Sequence, residues 1–316
     1  MGDVYLSLLG PPEVRHADQV LLFSTRKELA LLIYLAVEGR VHSRKKLSEL
    51  FWPEGDARHG RAALRITLLH LRHLLGEDTG VSPPHLLIKR DTLGLDLSSP
   101  LEIDLHILLK ACTSAQAPAH TARTLPEVEH RTLLATLQRA SSLPRGEFLE
   151  GFSLRDAPAF DDWVRLQREY WHLRTSEVFD RLSQMQLAAG ELEAAIETVN
   201  RWLVLFPLQE DAYRRLMRLY FAAGDRVAAL RAYEACRVML ATTLQTEPTA
   251  ETVALASRMR AVAPPRRKKA ATSALAFSPV AFLEGPLLGR TAELSTLLKV
   301  YHTAQRGRAQ AVLLEG

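Results

Sequence analysis

A ten-residue stretch of this chain recurs once, and the distance between the copies restricts the fold more than any other feature. Leu187-Ala188-Ala189-Gly190-Glu191-Leu192-Glu193-Ala194-Ala195-Ile196 corresponds to Phe221-Ala222-Ala223-Gly224-Asp225-Arg226-Val227-Ala228-Ala229-Leu230, offset by 34 residues throughout. That is the period of tetratricopeptide helix pairs, whose small residues sit where two helices approach closely. Pro207 stands where a second helix should end, and Pro248 closes the following helical stretch. Stacked pairs of this kind bury a shared core and leave a concave surface suited to a peptide, another domain or a second subunit. Trp163, Trp171, Trp202, Tyr213 and Tyr233 fall at helical spacings and read as core.

At about 150 residues per domain, the 316 residues predict two domains or slightly more. Residues 1–98 mix short apolar runs with turns and three helical patterns. Residues 99–260 are almost wholly helical, with amphipathic segments at 104–116, 126–142 and 158–187. A bridge through Leu143-Pro144-Arg145-Gly146-Glu147-Phe148 and Gly151-Phe152 is non-helical. Residues 261–285 read as a linker, with Ala263-Pro264-Pro265 leading into Arg266-Arg267-Lys268-Lys269. That basic run serves either as a solvated hinge or as added non-specific affinity for DNA. Residues 286–316 hold one helical pattern and one apolar run, too little for a domain alone.

Within 1–98, strand-like runs at 4–9 and 20–23 flank the turn Gly10-Pro11-Pro12. Thr25 and Glu28 form a capping box that opens a helix to about Glu38, with Gly39 ending it. Ser43 can cap a second helix that Pro53 stops, and a third spans about 58–75, closed by Gly76. Leu86-Leu87-Ile88 and residues 93–97 then flank Lys89-Arg90-Asp91-Thr92 as a hairpin. Strands, three helices and a hairpin are the order of a winged helix-turn-helix. The predicted fold class is therefore mainly α with a small β component, a winged helix-turn-helix followed by an all-α tetratricopeptide-like domain.

The third helix carries the functional information. Leu64, Leu68, Leu71 and Leu75 form a core stripe. Arg58, Arg61, Arg65 and Arg72 fall within about 60° of one another at about 100° per residue, beside that stripe. No Asp or Glu occurs between Arg58 and Leu75, while His59, His70 and His73 add partial charge. Such a face suits a DNA groove, where arginines grip phosphate or read guanine; the plainer reading is a solvated basic face. Ile66 and Leu69 belong to neither stripe, and either pack against the next domain or touch thymine methyls.

Other chemistries are poorly supported. A net charge of +4 makes local clustering, rather than the whole chain, the argument for an anionic partner. Cys112 and Cys236 are too few for a disulfide framework or a four-thiolate zinc site, and read as two free thiols. The eleven histidines show no metal spacing, and Asp104 beside His106 reads as a helix cap. No apolar segment is long enough to span a membrane, and no basic leader opens the chain, so a cytoplasmic location is expected. Residues 309–315 read as a short strand, and Gly316 could begin a phosphate-binding loop, but no loop lysine or magnesium-binding hydroxyl follows. No catalysis and no cofactor are expected of this chain, with ATP and magnesium assigned to a region after Gly316.

These stretches together resemble a known family. Thr25-Arg26-Lys27-Glu28-Leu29-Ala30-Leu31-Leu32, His42-Ser43-Arg44-Lys45-Lys46-Leu47, Leu50-Phe51-Trp52-Pro53, Arg61-Ala62-Ala63-Leu64-Arg65 and Leu71-Arg72 resemble the OmpR/PhoB-type winged helix of the Streptomyces antibiotic regulatory proteins. Gly151-Phe152, Phe160-Asp161-Asp162-Trp163, Leu187-Ala188-Ala189-Gly190 and Tyr233-Glu234-Ala235-Cys236-Arg237 resemble the bacterial transcriptional activator domain. Leu288-Gly289-Arg290, Glu293-Leu294 and Leu313-Leu314-Glu315-Gly316 are similar to the start of the signal-transducing ATPase domain of larger members.

The resemblance implies a transcriptional activator that binds direct-repeat promoter DNA, associates with itself there and recruits RNA polymerase. It implies that Arg58, Arg61, Arg65 and Arg72 serve the recognition helix, Lys89 and Arg90 the wing, and Arg44, Lys45 and Lys46 the DNA backbone. The alternative is a helical interaction module of a larger signal-transducing ATPase, without DNA binding. The phosphorylated receiver domain that response regulators carry before this winged helix is not expected here, and the wing is short and ends without the family's usual Gly-Tyr.

Overall fold

The first strand has to pair before anything else in the N-terminal region is explained. β1 (Val4–Ser7) alternates buried and half-buried residues, the period of a strand covered on one face. It pairs antiparallel with β2 (Glu13–His16), Val4 opposite His16 and Ser7 opposite Glu13. β2 in turn pairs with β3 (Gln19–Val20). On its other side β1 pairs parallel with β7 (Leu101–Ile103), so the sheet order is β3-β2-β1-β7. The computed structural model describes residues 4–16, 19–54, 56–77, 84–115 and 127–261. The readings of Arg266-Arg267-Lys268-Lys269 and of 286–316 lie outside them.

The strand predicted at 20–23 is displaced. Val14 is the one residue of β2 buried in the core, so that strand has no apolar run to betray it. Leu21 only donates its N–H to the Val14 carbonyl, and Leu22 is 83% exposed.

α1 (Arg26–Glu38) begins at the expected capping box. Thr25 Oγ1 accepts from Glu28 N–H while the Glu28 carboxylate accepts from Thr25 N–H, and Gly39 ends the helix. β4 (His42–Ser43) leads into α2 (Arg44–Phe51). Ser43 occupies the N-cap position, but its side chain makes no capping bond. α3 (Ala57–Leu74) is capped by Asp56, whose carboxylate accepts from His59 N–H. β5 (Leu86–Ile88) and β6 (Thr92–Leu95) form the hairpin, and β4 completes its sheet in the order β4-β6-β5.

The remainder is helical: α4 (Asp104–Ala115), α5 (Glu127–Ser142), α6 (Pro158–Ala188), α7 (Leu192–Leu205), α8 (Glu210–Ala222), α9 (Arg226–Thr243) and α10 (Ala250–Ala261). The chain is thus mainly α with a small β component. The repeat shows in three dimensions: Gly190 and Gly224 turn the chain with φ of 81° and 78°, and Ala195 and Ala229 are both fully buried. Positive φ is cheap for glycine and costly for other residues, which accounts for its recurrence at that turn. Trp171, Trp202, Tyr213 and Tyr233 are core, whereas Trp163 is half-buried and donates its Nε1–H to Glu38. Cys112 and Cys236 are free and buried, and burial pushes both thiols up to about 11. Among the described residues no helix is long and apolar enough to cross a membrane, and no cluster of metal-ligating side chains occurs.

The winged region and the first three helices of the helical region are not separately packed. One apolar core runs from Val4 through α1, α2 and α3 to Met185 in α6. A second core, from Phe179 to Met259, fills the repeat helices. Loop 145–150 lies along the end of β1: Arg145 N–H donates to Leu9 O, Gly10 N–H to Glu147 O and Leu149 N–H to Leu8 O. Gly10, at φ 128°, has no room for a side chain, because a Cβ there would stand 2.9 Å from Arg145 Cβ.

Asp104 closes this junction. Its role is wider than the helix cap expected, because only Leu105 N–H at 2.8 Å comes from its own helix. Oδ2 accepts from Leu8 N–H at 2.6 Å and Leu9 N–H at 2.9 Å, just past the end of β1. Burial pushes the carboxyl up to about 6, against the pull of these three donors. Because the folded value exceeds the unfolded one, the stabilisation is complete below about pH 4 and declines as pH rises through about 6. Asp104→Asn should cost about 1–3 kcal/mol, since an amide N–H must face a backbone donor. In urea unfolding the gap between the native protein and this variant should be larger at pH 4.5 than at pH 7.5. A gap that widens with pH would show instead that the donors, not burial, govern the carboxyl.

Candidate nucleic-acid interface

The leucine periodicity of α3 decides which way its arginines point. Leu64, Leu68, Leu71 and the adjoining Leu75 are buried in the core. Arg58, Arg61, Arg65 and Arg72 are exposed on the neighbouring face, as the 3.6-residue turn requires. Among the described residues Arg58, Arg61 and Arg65 have no ion-pair partner. Arg72 Nε lies 3.9 Å from the Glu77 carboxylate, a loose contact that leaves its charge largely available. Ile66 and Leu69 are 57% and 60% exposed, so neither is covered by the described helical region.

The hairpin contributes a second set of cations. Lys89 and Arg90 are exposed in the turn, which closes through Lys89 N–H donating to Thr92 O at 3.0 Å. Arg44 joins this turn to α2: its backbone N–H donates to Asp91 O, and its guanidinium to Lys89 O at 3.4 Å. The structure therefore brings Arg44 and the hairpin turn together, with Arg44 half-buried. Lys45 and Lys46 are exposed on the first turn of α2, and Lys45 Nζ lies 3.9 Å from Glu49.

Two buried carboxylates that sequence reasoning did not assign to the site hold α3 in place. Glu28, besides its capping role, accepts from Ser24 N–H at 2.9 Å and meets His70 Nδ1 of α3 at 2.8 Å. Glu77 accepts from His85 N–H and Leu86 N–H at 2.6 and 2.9 Å, and so ties the end of α3 to the start of β5. The capping-box pattern locates Glu28, but nothing local in sequence announces its partner 42 residues away. His85, buried beside Ser99 Oγ at 2.8 Å, has its pKa lowered mainly by burial.

A helix with one buried stripe, one open cationic stripe and a cationic hairpin presents a polyanion with fixed charges at low reorganisation. Residues 110–260 match the bacterial transcriptional activator domain. That region, from α4 to α10, is similar to the domain throughout. The chain is 27% identical over 257 residues to the regulatory protein AfsR of Streptomyces griseus, spanning 80% of this chain and 24% of AfsR. It is 24% identical to the transcriptional regulatory protein MoaR1 of Mycobacterium tuberculosis, over 78% of this chain and 76% of MoaR1. The fold matches a solved structure of Mycobacterium tuberculosis EmbR in complex with a low affinity phosphopeptide, with TM-score 0.61 and 19% identity, over 96% of this chain and 72% of that one. The domain matched is regulatory rather than catalytic.

Removing the Glu28 carboxylate leaves two backbone donors and His70 without their acceptor. Glu28→Ala should therefore lower the unfolding free energy of the chain by about 1–3 kcal/mol, whereas Glu28→Gln retains an acceptor and loses less. Chemical denaturation monitored by circular dichroism checks this, and equal losses would show that the cap and the His70 contact are not what stabilises α1 against α3.

Proposed function

We propose that this chain is a sequence-specific DNA-binding transcriptional activator that enters the major groove with α3, occupies direct-repeat promoter sites through self-association and recruits RNA polymerase. The observation that carries the reading is the acid-free face of α3, on which Arg58, Arg61 and Arg65 stand exposed without ion-pair partners among the described residues. Arginines left unpaired on a rigid helix are costly to cover with an apolar surface and cheap to cover with phosphate or a guanine edge. Lys89 and Arg90 meet the adjacent minor groove or its phosphates, while Lys45 and Lys46 reach the backbone beside α2. Arg44 contributes by holding the hairpin turn against α2, as its hydrogen bonds indicate.

The relatives support a regulator of transcription at the level of their own names, AfsR and MoaR1 being described as regulatory and transcriptional regulatory proteins. DNA and RNA polymerase as partners, and a cytoplasmic, nucleoid-associated location, are part of this proposal. The chain spans 24% of AfsR, so a nucleotide-binding ATPase region using ATP and magnesium is proposed only for a longer protein. Sequence after Gly316 containing G-x-x-x-x-G-K-[ST] would support that extension, and sequence without it would remove it.

Selection of genomic fragments by the purified chain at two salt concentrations tests the reading. A direct repeat should be enriched, and log K should fall with log salt at about 0.9 per phosphate contacted. Arg65→Ala should weaken binding to the selected site by about tenfold with the fold intact, because the side chain is exposed. Affinity unchanged in that variant would overturn the assignment of the arginine face, and no enrichment at either salt would overturn DNA recognition.

A further inference from the structure

α3 carries two large apolar side chains that the fold does not use. Leu69 is 60% exposed and Ile66 57%, although the helix already buries Leu64, Leu68 and Leu71 on its core side. At about 100° per residue, Leu69 projects about 20° from Arg58, and Ile66 about 60° further round. Along the axis Leu69 lies about one turn after Arg65 and just under one turn before Arg72. The apolar pair thus lies across the arginine stripe from the core, Leu69 against that stripe and Ile66 further round.

An exposed leucine and isoleucine can be covered by an apolar protein surface or by apolar groups in a nucleic-acid groove. The neighbours choose between these. A protein partner that covered Leu69 would also bury Arg65, one turn away, which brings no counter-charge of its own, and uncompensated burial of guanidinium is expensive. The major groove provides acceptors and phosphates for the arginines and offers one apolar group, the thymine 5-methyl. We infer that Ile66 and Leu69 are specificity-determining residues that read thymine methyls in the operator. This inference rests on the DNA-binding reading above and adds to it the kind of base pair recognised at these two positions.

The loss expected from deleting one methyl is that of one buried apolar carbon, about fourfold in affinity. The test is selection from a random-sequence duplex pool synthesised once with thymine and once with uracil, whose hydrogen-bonding groups are the same and which lacks only the methyl. The native protein should select one or two thymine positions per half-site from the first pool. Uracil at those positions should be favoured about fourfold less in the second pool, while guanine positions read by arginine stay unchanged. The double variant Ile66→Ala, Leu69→Ala replaces exposed residues with a strong helix former, so it should fold as the native protein does. From the thymine pool it should select the guanine positions and lose the preference at the thymine positions. Identical selections from the two pools by the native protein would overturn the inference and leave the DNA-binding reading in place. A thymine preference that persists in the double variant would likewise overturn it. No selection from either pool would overturn the DNA-binding reading itself, and the inference with it.

Discussion

The structure depends on a carboxylate shared by two stretches of chain that are far apart in sequence. Asp104 starts α4, yet two of its three backbone donors, Leu8 and Leu9, lie just past β1 at the other end of the winged region. Around it, loop 145–150 completes the edge of that strand, and Gly10 is shaped by the approach of Arg145. The buried groups at this junction are satisfied only when strand, loop and helix are all present. That is why the apolar core continues from β1 into α6, and why the winged helix meets the helical region as part of one packed body.

The same economy governs the candidate interface. α3 is held by its leucines on one side and by two buried glutamates at its borders, Glu28 toward α1 and Glu77 toward the hairpin. Lys27 of α1 pairs with Asp156 at 2.6 Å, and Arg26 lies over the Phe152 ring at 4.7 Å, so the helix that braces α3 is itself braced by the bridge between the two regions. The exposed arginines are therefore mounted on an element whose position is set by contacts that they do not make. A rigid mount of this kind lowers the conformational cost of binding, because little is left to order when a partner arrives.

Patterns with a period were legible in the sequence. The helices from α4 to α9, the 34-residue turn, the capping box at Thr25 and Glu28, and the leucine and arginine stripes of α3 all stand where spacing places them. What escaped were elements defined by their partners. β2 shows one core residue, and β7 is three residues long, so neither has a periodic signal; both exist because β1 offers them open edges. Asp104 reads as a cap from its local sequence, and only the tertiary fold shows that it also serves the residues just past β1. For the candidate site, the cations were visible in sequence while the glutamates that set their frame were not, since their partners lie across the fold.

Loop 145–150 has a bearing on how the chain is made. The strand it completes leaves the ribosome first, and at ordinary translation speeds the loop follows on the order of ten seconds later. During that interval Leu8, Leu9 and Gly10 lack their backbone partners from the loop, and the apolar surface of the first domain lacks the cover of α5 and α6. The nascent winged helix is therefore unfinished until the bridge emerges, and α3 acquires its final support from residues synthesised after it.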